Sequence, residues 1–154
     1  YEQYEVRTQK GQQKSITLAD GSQIILNTNT MLRDQQRIRS RQIHLLQGEA
    51  NFTVKHIENK LLKPFERRFE VFAGDMHVID IATVFNIDKH NKMDASVTVI
   101  SGEVMAGIRN SKASMIHLTK NQSLRNYGQT LATVEQASLE QVQAWQTGHI
   151  RRDR

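Results

Sequence analysis

The chain has 154 residues, 38% of them apolar, which is enough for one domain with a modest core or for one domain and a short extension. It contains no cysteine, which excludes a disulfide framework, a thiolate metal site and a cysteine nucleophile while fitting either redox compartment. The net charge of +5 raises the question of a polyanionic partner, but the aromatic residues sit in apolar runs rather than between the cations, so no nucleic-acid partner is expected.

No run approaches the ~20 consecutive apolar residues of a spanning helix, and the N-terminus carries neither a secretory signal nor a starting Met. The sequence therefore has the character of a soluble piece of a longer protein. Most of it alternates apolar and polar side chains in short runs broken by Gly, Asn, Asp and Ser, the pattern of half-buried strands and turns. Ile16 and Leu18 lead into Asp20-Gly21-Ser22, and Ile24 and Leu26 follow, so a tight turn is predicted between two antiparallel strands. A second turn is predicted over 27–30. Arg33, Arg37, Arg39 and Arg41 then precede a predicted strand at 42–46. Further strands are expected at 50–55, 68–73, 76–81, 84–87, 96–100, 103–108 and 115–118. The polar stretch 56–67, with the single Pro at 64, reads as an exposed loop.

Near the C-terminus Ser138 and Gln141 form a capping box, Leu139, Val142 and Trp145 share a face, and Gly148 supplies a stop, which predicts one short helix with Trp145 packed as core. Arg151, Arg152 and Arg154 make a basic tail. One internal correspondence stands out. Ile43, Leu45, Leu46, Gly48, Glu49, Ala50, Phe52 and Val54 match Val97, Val99, Ile100, Gly102, Glu103, Val104, Ala106 and Ile108, each 54 positions later. Two strand-turn-strand units are implied, and the expected fold is all-β: many short, mostly antiparallel strands in a rolled, twisted, solenoid-like or two-layer sheet, with one short C-terminal helix.

Chemistry finds little foothold. The histidines at 44, 56, 77, 90, 117 and 149 are never paired at the spacing of a metal-binding strand or helix, and no His-x-His triplet supports a cupin-like metal site. His44, His77 and His117 occupy polar strand positions and are expected to be exposed or half-exposed. Neither Ser101-Gly102-Glu103 nor Asp20-Gly21-Ser22 is a nucleophile elbow, and no glycine cluster forms a phosphate cradle. Glu49 and Glu103 are the one conceivable pair of catalytic carboxylates, although an acid after a turn glycine more often bonds neighbouring backbone or stays solvated. Phe52, Phe69 and Phe85 fit a core. Phe72 falls off the alternation of Phe69, Val71 and Ala73, which points its ring to an exposed face as a candidate partner contact.

Several short elements carry a resemblance. The first runs through Leu18, Asp20, Gly21, Ser22, Leu26 and Asn27; the second through Leu46, Gly48, Glu49, Ala50, Phe52 and Val54; the third through Ala82, Thr83, Phe85, Asn86 and Ile87, followed by Val99, Gly102, Glu103 and Val104. Leu118, Gln122 and Leu124, then Ala144, Trp145, Gly148 and Ile150, complete the series. Their order and spacing resemble the FecR family. Ala82 and Asn121 stand where the family pattern has Gly, so Asn121 is expected to use the left-handed region.

The resemblance implies a β domain over 1–137, followed at 138–154 by the helix and a basic tail that lead to a C-terminal signalling subdomain beyond Arg154. It further implies a single-pass bacterial inner-membrane regulator with this portion in the periplasm. A cytoplasmic segment before Tyr1 would bind a sigma factor, and the signalling domain of a TonB-dependent outer-membrane transporter would be the other partner. Asp20, Gly21, Ser22, Leu26, Asn27, Gly48, Glu49, Phe52, Thr83, Phe85, Asn86, Gly102, Gln122, Trp145 and Gly148 are then structural signature residues. No catalysis, cofactor, metal or small-molecule substrate is expected. A carbohydrate-binding or glycan-processing β domain is the competing reading.

Overall fold

The alternation of side chains translates directly into strands. In a computed structural model, which describes residues 3–37, 40–55, 61, 68–111 and 115–137, the described residues form twelve strands and no helix. The helix expected from Ser138 to Gly148, with Trp145, and the tail lie outside the described residues, as does the 56–67 loop except Leu61. No helix among the described residues is long and apolar enough to cross a membrane.

The strands are β1 (Gln3–Arg7), β2 (Lys14–Thr17), β3 (Gln23–Leu26), β4 (Met31–Gln36), β5 (Ser40–Thr53), β6 (Arg68–Ala73), β7 (Met76–Lys89), β8 (Ala95–Ile108), β9 (Ile116–Thr119), β10 (Gln122–Tyr127), β11 (Thr130–Leu131) and β12 (Glu135–Gln136). Three of them are 14 residues long and change partners halfway. Residues 40–47 of β5 pair with β4 and β6, whereas 48–53 pair with β3 and β7. Residues 76–79 of β7 pair with β6, and 84–89 with β5. β8 pairs with β10 through 96–98 and with β9 through 103–106.

The sheet is thus rolled into two layers. The front layer runs β1-β4-β5-β6-β7-β8-β9, the back layer β2-β3-β5-β7-β8-β10 with β11 and β12 on the far edge of β10, and β5, β7 and β8 belong to both. Every pairing is antiparallel except β5–β6, whose parallel register requires a crossover connection. Residues 54–67 supply it.

The all-β expectation holds, but the boundaries change. The predicted pairs 42–46 and 50–55, 76–81 and 84–87, and 96–100 and 103–108 are each one continuous strand. The reason is a one-residue slip in alternation at each bend. Buried apolar positions run 43, 45 and then 50, 52 in β5; 76, 78 and then 85, 87 in β7; 95, 97, 99 and then 104, 106 in β8. The β7–β8 register shifts between Asp80 and Ala82 and again between Val84 and Phe85, the mark of bulges that bend a strand. Strands β1, β4, β10, β11 and β12 lie where the sequence pattern predicted none, because β1 is exposed, β4 and β10 are largely polar, and β11 and β12 are two residues each.

Gly48 and Gly102, 54 positions apart, sit at the β5 and β8 bends with φ of 89° and 85°. At Gly48 space is also closed: a Cβ would stand 2.8 Å from the Thr30 Cα and 2.9 Å from the Asn29 carbonyl oxygen. At both bends a threonine hydroxyl from a neighbouring segment donates to the carbonyl of the following glutamate, Thr30 to Glu49 at 3.2 Å and Thr83 to Glu103. The repeated unit is therefore a bent strand with a hydroxyl latch.

Between the layers lies one apolar core. Leu32, Ile43, Leu45, Val71, Val78 and Val104 face it from the front, and Ile24, Leu26, Phe52, Phe85, Ile87 and Val97 from the back, all with no more than 1% exposure. Phe52 stacks on Phe85 at 5.0 Å within the back layer and meets Phe69 of the front layer edge-on at 6.3 Å. Such pairs add about 0.5–1.5 kcal/mol to the burial itself. At one end Arg41, 4% exposed, spans the layers between Asp34 of β4 at 3.7 Å and Asp20 of the β2–β3 turn at 3.6 Å. At the other end the Met93 carbonyl accepts the Asp75 N–H and an Asn126 amide hydrogen, tying three turns together.

Candidate functional site

The signature residues divide between the core and one polar cluster. Each of three strand segments contributes an apolar residue inward and a polar one outward: Leu26 with Asn27, Phe52 with Glu49, Phe85 with Asn86. On the outer face of the back layer the Glu49 carboxylate, 5% exposed, accepts the Asn27 amide at 3.3 Å and the Asn86 amide at 2.7 Å. The Asn27 N–H also donates to the Glu49 carbonyl at 2.9 Å. A buried carboxylate is tolerated when its oxygens are occupied by donors, and here the donors come from two other strands. The cluster fastens β3, β5 and β7 together.

The remaining signature residues shape turns and bends. In Asp20-Gly21-Ser22 the Asp20 carboxylate accepts the Ser22 N–H at 2.8 Å, and the Ser22 hydroxyl accepts the Lys55 N–H at 2.8 Å. Gln122 closes the β9–β10 turn by accepting the Thr119 N–H at 2.8 Å. Asn121 in that turn has φ of 72°, the left-handed conformation expected of it. Thr83 pairs with Gly102.

Glu49 and Glu103 do not form a pair. Glu49 stands opposite Asp88 and Glu103 opposite Ala82, so roughly 20 Å of β7 backbone lies between their partners at ~3.3 Å per residue. Glycosidase carboxylates stand about 5–10 Å apart. Glu103 instead contacts His117 at 3.1 Å, both nearly half exposed.

The outer face of the front layer is different in kind. One row crosses five strands in register: Glu5, Arg33, His44, Phe72 and His77. The Phe72 ring is half-buried on this face, stacked between His44 at 5.1 Å and His77 at 4.4 Å with interplanar angles of 16° and 11°. The Arg109 guanidinium reaches back from the end of β8 to lie 4.6 Å from the Phe72 centroid. The adjacent row holds Gln42, Glu70, Ile79, Met105 and His117. His77 contacts Glu70 at 2.9 Å, Arg68 contacts it at 3.3 Å, and Arg33 pairs with Glu5 at 3.0 Å.

Electrostatics mark the same place. Burial, together with Arg109, Arg33 and Arg37, pushes the His44 imidazole down to about 4 from its ordinary 6.5. Burial likewise lowers Arg109, against the opposing charge of Asp75. The orientation of Phe72 was legible from its offset in the strand. The stack was not, because parallel β5–β6 pairing brings His44 to Phe72 across 28 positions and Arg109 arrives from a distant turn. Among the described residues no cluster of three or more His, Asp or Glu side chains is arranged to hold a metal. His56 and His149 lie outside them.

Comparison with known proteins bears on the chain as a whole. No protein of curated function matches it. Two crystal structures of a candidate anti-sigma factor from Parabacteroides distasonis share its fold, each with a TM-score of 0.75 and 24% identity, covering 95% and 94% of this chain. The chain spans 65% of the length of those structures. The family model described as FecR protein matches residues 4–105, a span that includes the Asp20 turn, both glycine bends and the whole Asn27–Glu49–Asn86 cluster. On that match the chain belongs to the FecR family.

Proposed function

We propose that the chain is the periplasmic sensor and transducer domain of an anti-sigma factor-type regulator. In this reading it relays a signal from a TonB-dependent outer-membrane transporter of iron or glycan uptake to an extracytoplasmic-function sigma factor. Family membership over residues 4–105 is the observation that carries it, and the shared fold of the candidate anti-sigma factor supports it. The physical character of the domain is consistent with a non-catalytic relay. Two layers are joined by three shared strands, and among the described residues β1 pairs with β4 alone and β9 with β8 alone, the edge position at which a partner strand can add to a sheet.

The competing glycan-binding reading draws no support from the geometry. Both faces of Phe72 are occupied by imidazoles, which removes it as a stacking platform for sugar, and Glu49 is sequestered between two amides. The test is a sigma-dependent reporter in cells carrying the full-length regulator and its transporter. Disrupting this domain by Gly48→Val is expected to uncouple reporter output from the inducing ligand while the regulator stays in the membrane. Unchanged induction with the domain demonstrably unfolded counts against the proposal.

A further inference from the structure

We propose that the outer face of the front layer around Phe72 binds an acidic segment of a partner protein, with carboxylates beside Arg109 and Arg33 and apolar side chains over Ile79 and Met105 and against the edge of the Phe72 ring between its two imidazoles. The inference rests on the reading above that this chain docks other proteins, and it specifies the chemistry of one surface. The anatomy is that of a docking patch: half-buried Phe, Ile and Met side chains at the centre, arginines at the rim. Charge complementarity selects the occupant. The groups facing the patch are Arg33 from β4 and Arg37 just beyond it, His44 from β5, Arg68 and Glu70 from β6, His77 from β7, Glu103 from β8 and held by His117 of β9, Arg109 beyond β8, Glu5 from β1, and Asp75 from the β6–β7 turn.

Glu5 is taken by Arg33, and Glu70 is shared by Arg68 and His77. Arg109 forms no ion pair among the described residues; its Nε, the Arg33 Nε and the His44 Nε2 lack acceptors there but are themselves buried, so a partner meets the half-exposed remainder of the two arginine side chains. Burial first, and then the charges of Arg109, Arg33 and Arg37, hold the His44 imidazole neutral. A carboxylate relieves that field, while the arginine planes and the Phe72 ring provide the apolar contact that sets register.

The test uses the purified chain and a fluorescein-labelled ten-residue peptide of alternating Glu and Leu, with a Gln–Leu peptide and phosphatidylglycerol vesicles as comparators. Fluorescence anisotropy is expected to show the Glu–Leu peptide binding at least tenfold tighter than the Gln–Leu peptide. Arg109→Gln and Phe72→Ala should each weaken it at least fivefold with the thermal midpoint and backbone NMR spectrum kept native, and Lys14→Gln, on the back-layer edge, should leave it unchanged. Peptide binding should also raise the His44 titration midpoint. Equal affinity for the two peptides, or an Arg109→Gln variant that binds as well as the parent, overturns the proposal. So does Arg109-dependent binding to the vesicles without binding to the peptide, which assigns the face to a membrane. Peptide binding is measured without sigma factor or transporter, so its loss counts against this surface and a failed reporter response counts against the regulator.

Discussion

On the outer face of the back layer Glu49 is 5% exposed and both its oxygens are taken by amides from other strands; on the outer face of the front layer Arg109 lies half-buried on Phe72 with no ion-pair partner among the described residues. The first face spends its polar groups on itself. Even its unbonded groups among the described residues, the Asn51 amide nitrogen and the Asn86 amide oxygen, are on residues only 2% and 3% exposed, out of reach of another protein. The second face keeps cations and an aromatic ring within reach of solvent. The family signature concentrates on the first and leaves the Phe72 row of the second outside it, so the residues that identify the fold are not the ones that offer themselves to a partner.

The contrast can be broken at the glycine bends. Gly48→Ala is expected to cost about 3 kcal/mol or more: the backbone strain at positive φ accounts for roughly 1–3 kcal/mol, and the approach to the Thr30 and Asn29 backbone adds to it. Gly102→Ala carries the strain at φ of 85° and should lose about 1–3 kcal/mol. Urea unfolding of both variants checks the order, and equal losses refute the close approach as a cause.

Glu49→Ala strands two amides and removes two charge-assisted bonds, so a loss of about 2–3 kcal/mol is expected in the same assay. Its repeat counterpart Glu103→Ala removes a contact between two half-exposed groups and should stay within about 0.5 kcal/mol. If the two glutamates cost the same, the division between the faces fails.

The pH dependence of stability sharpens the other side. With the folded His44 at about 4 and the unfolded one near 6.5, the unfolded chain binds the extra proton in that interval. The contribution is present above 6.5 and is lost as pH falls towards 4. His44→Gln is expected to flatten the slope of unfolding free energy between those values, most clearly at low salt; an unaltered slope argues that the imidazole is not held neutral by its arginines.

Fold class was legible because alternation survives in a single sequence, and the Asp20-Gly21-Ser22 turn declared itself by residue type. The bends were misread as turns for a physical reason: a slipped alternation with a glycine looks the same whether the chain reverses or merely bends, and partner strands decide which. Gly48 and Gly102 were visible as a repeat, but the Thr30 and Thr83 latches were not, since nothing marks them beyond lying 19 and 20 positions before their glutamates. The Asn27–Glu49–Asn86 cluster was present as three separate signature elements whose convergence depends on register. Phe72 betrayed its outward ring, whereas Arg109 gave no sign that it would cover that ring.

Because β5, β7 and β8 each run through both layers, neither layer can be peeled away while the other stays intact. Load applied to β5, β7 or β8 passes along covalent backbone from one wall to the other, whereas β1 and β9 join the body through interstrand pairing with β4 and β8. Traction at either rim therefore strains that pairing before it reaches the strands the two walls share.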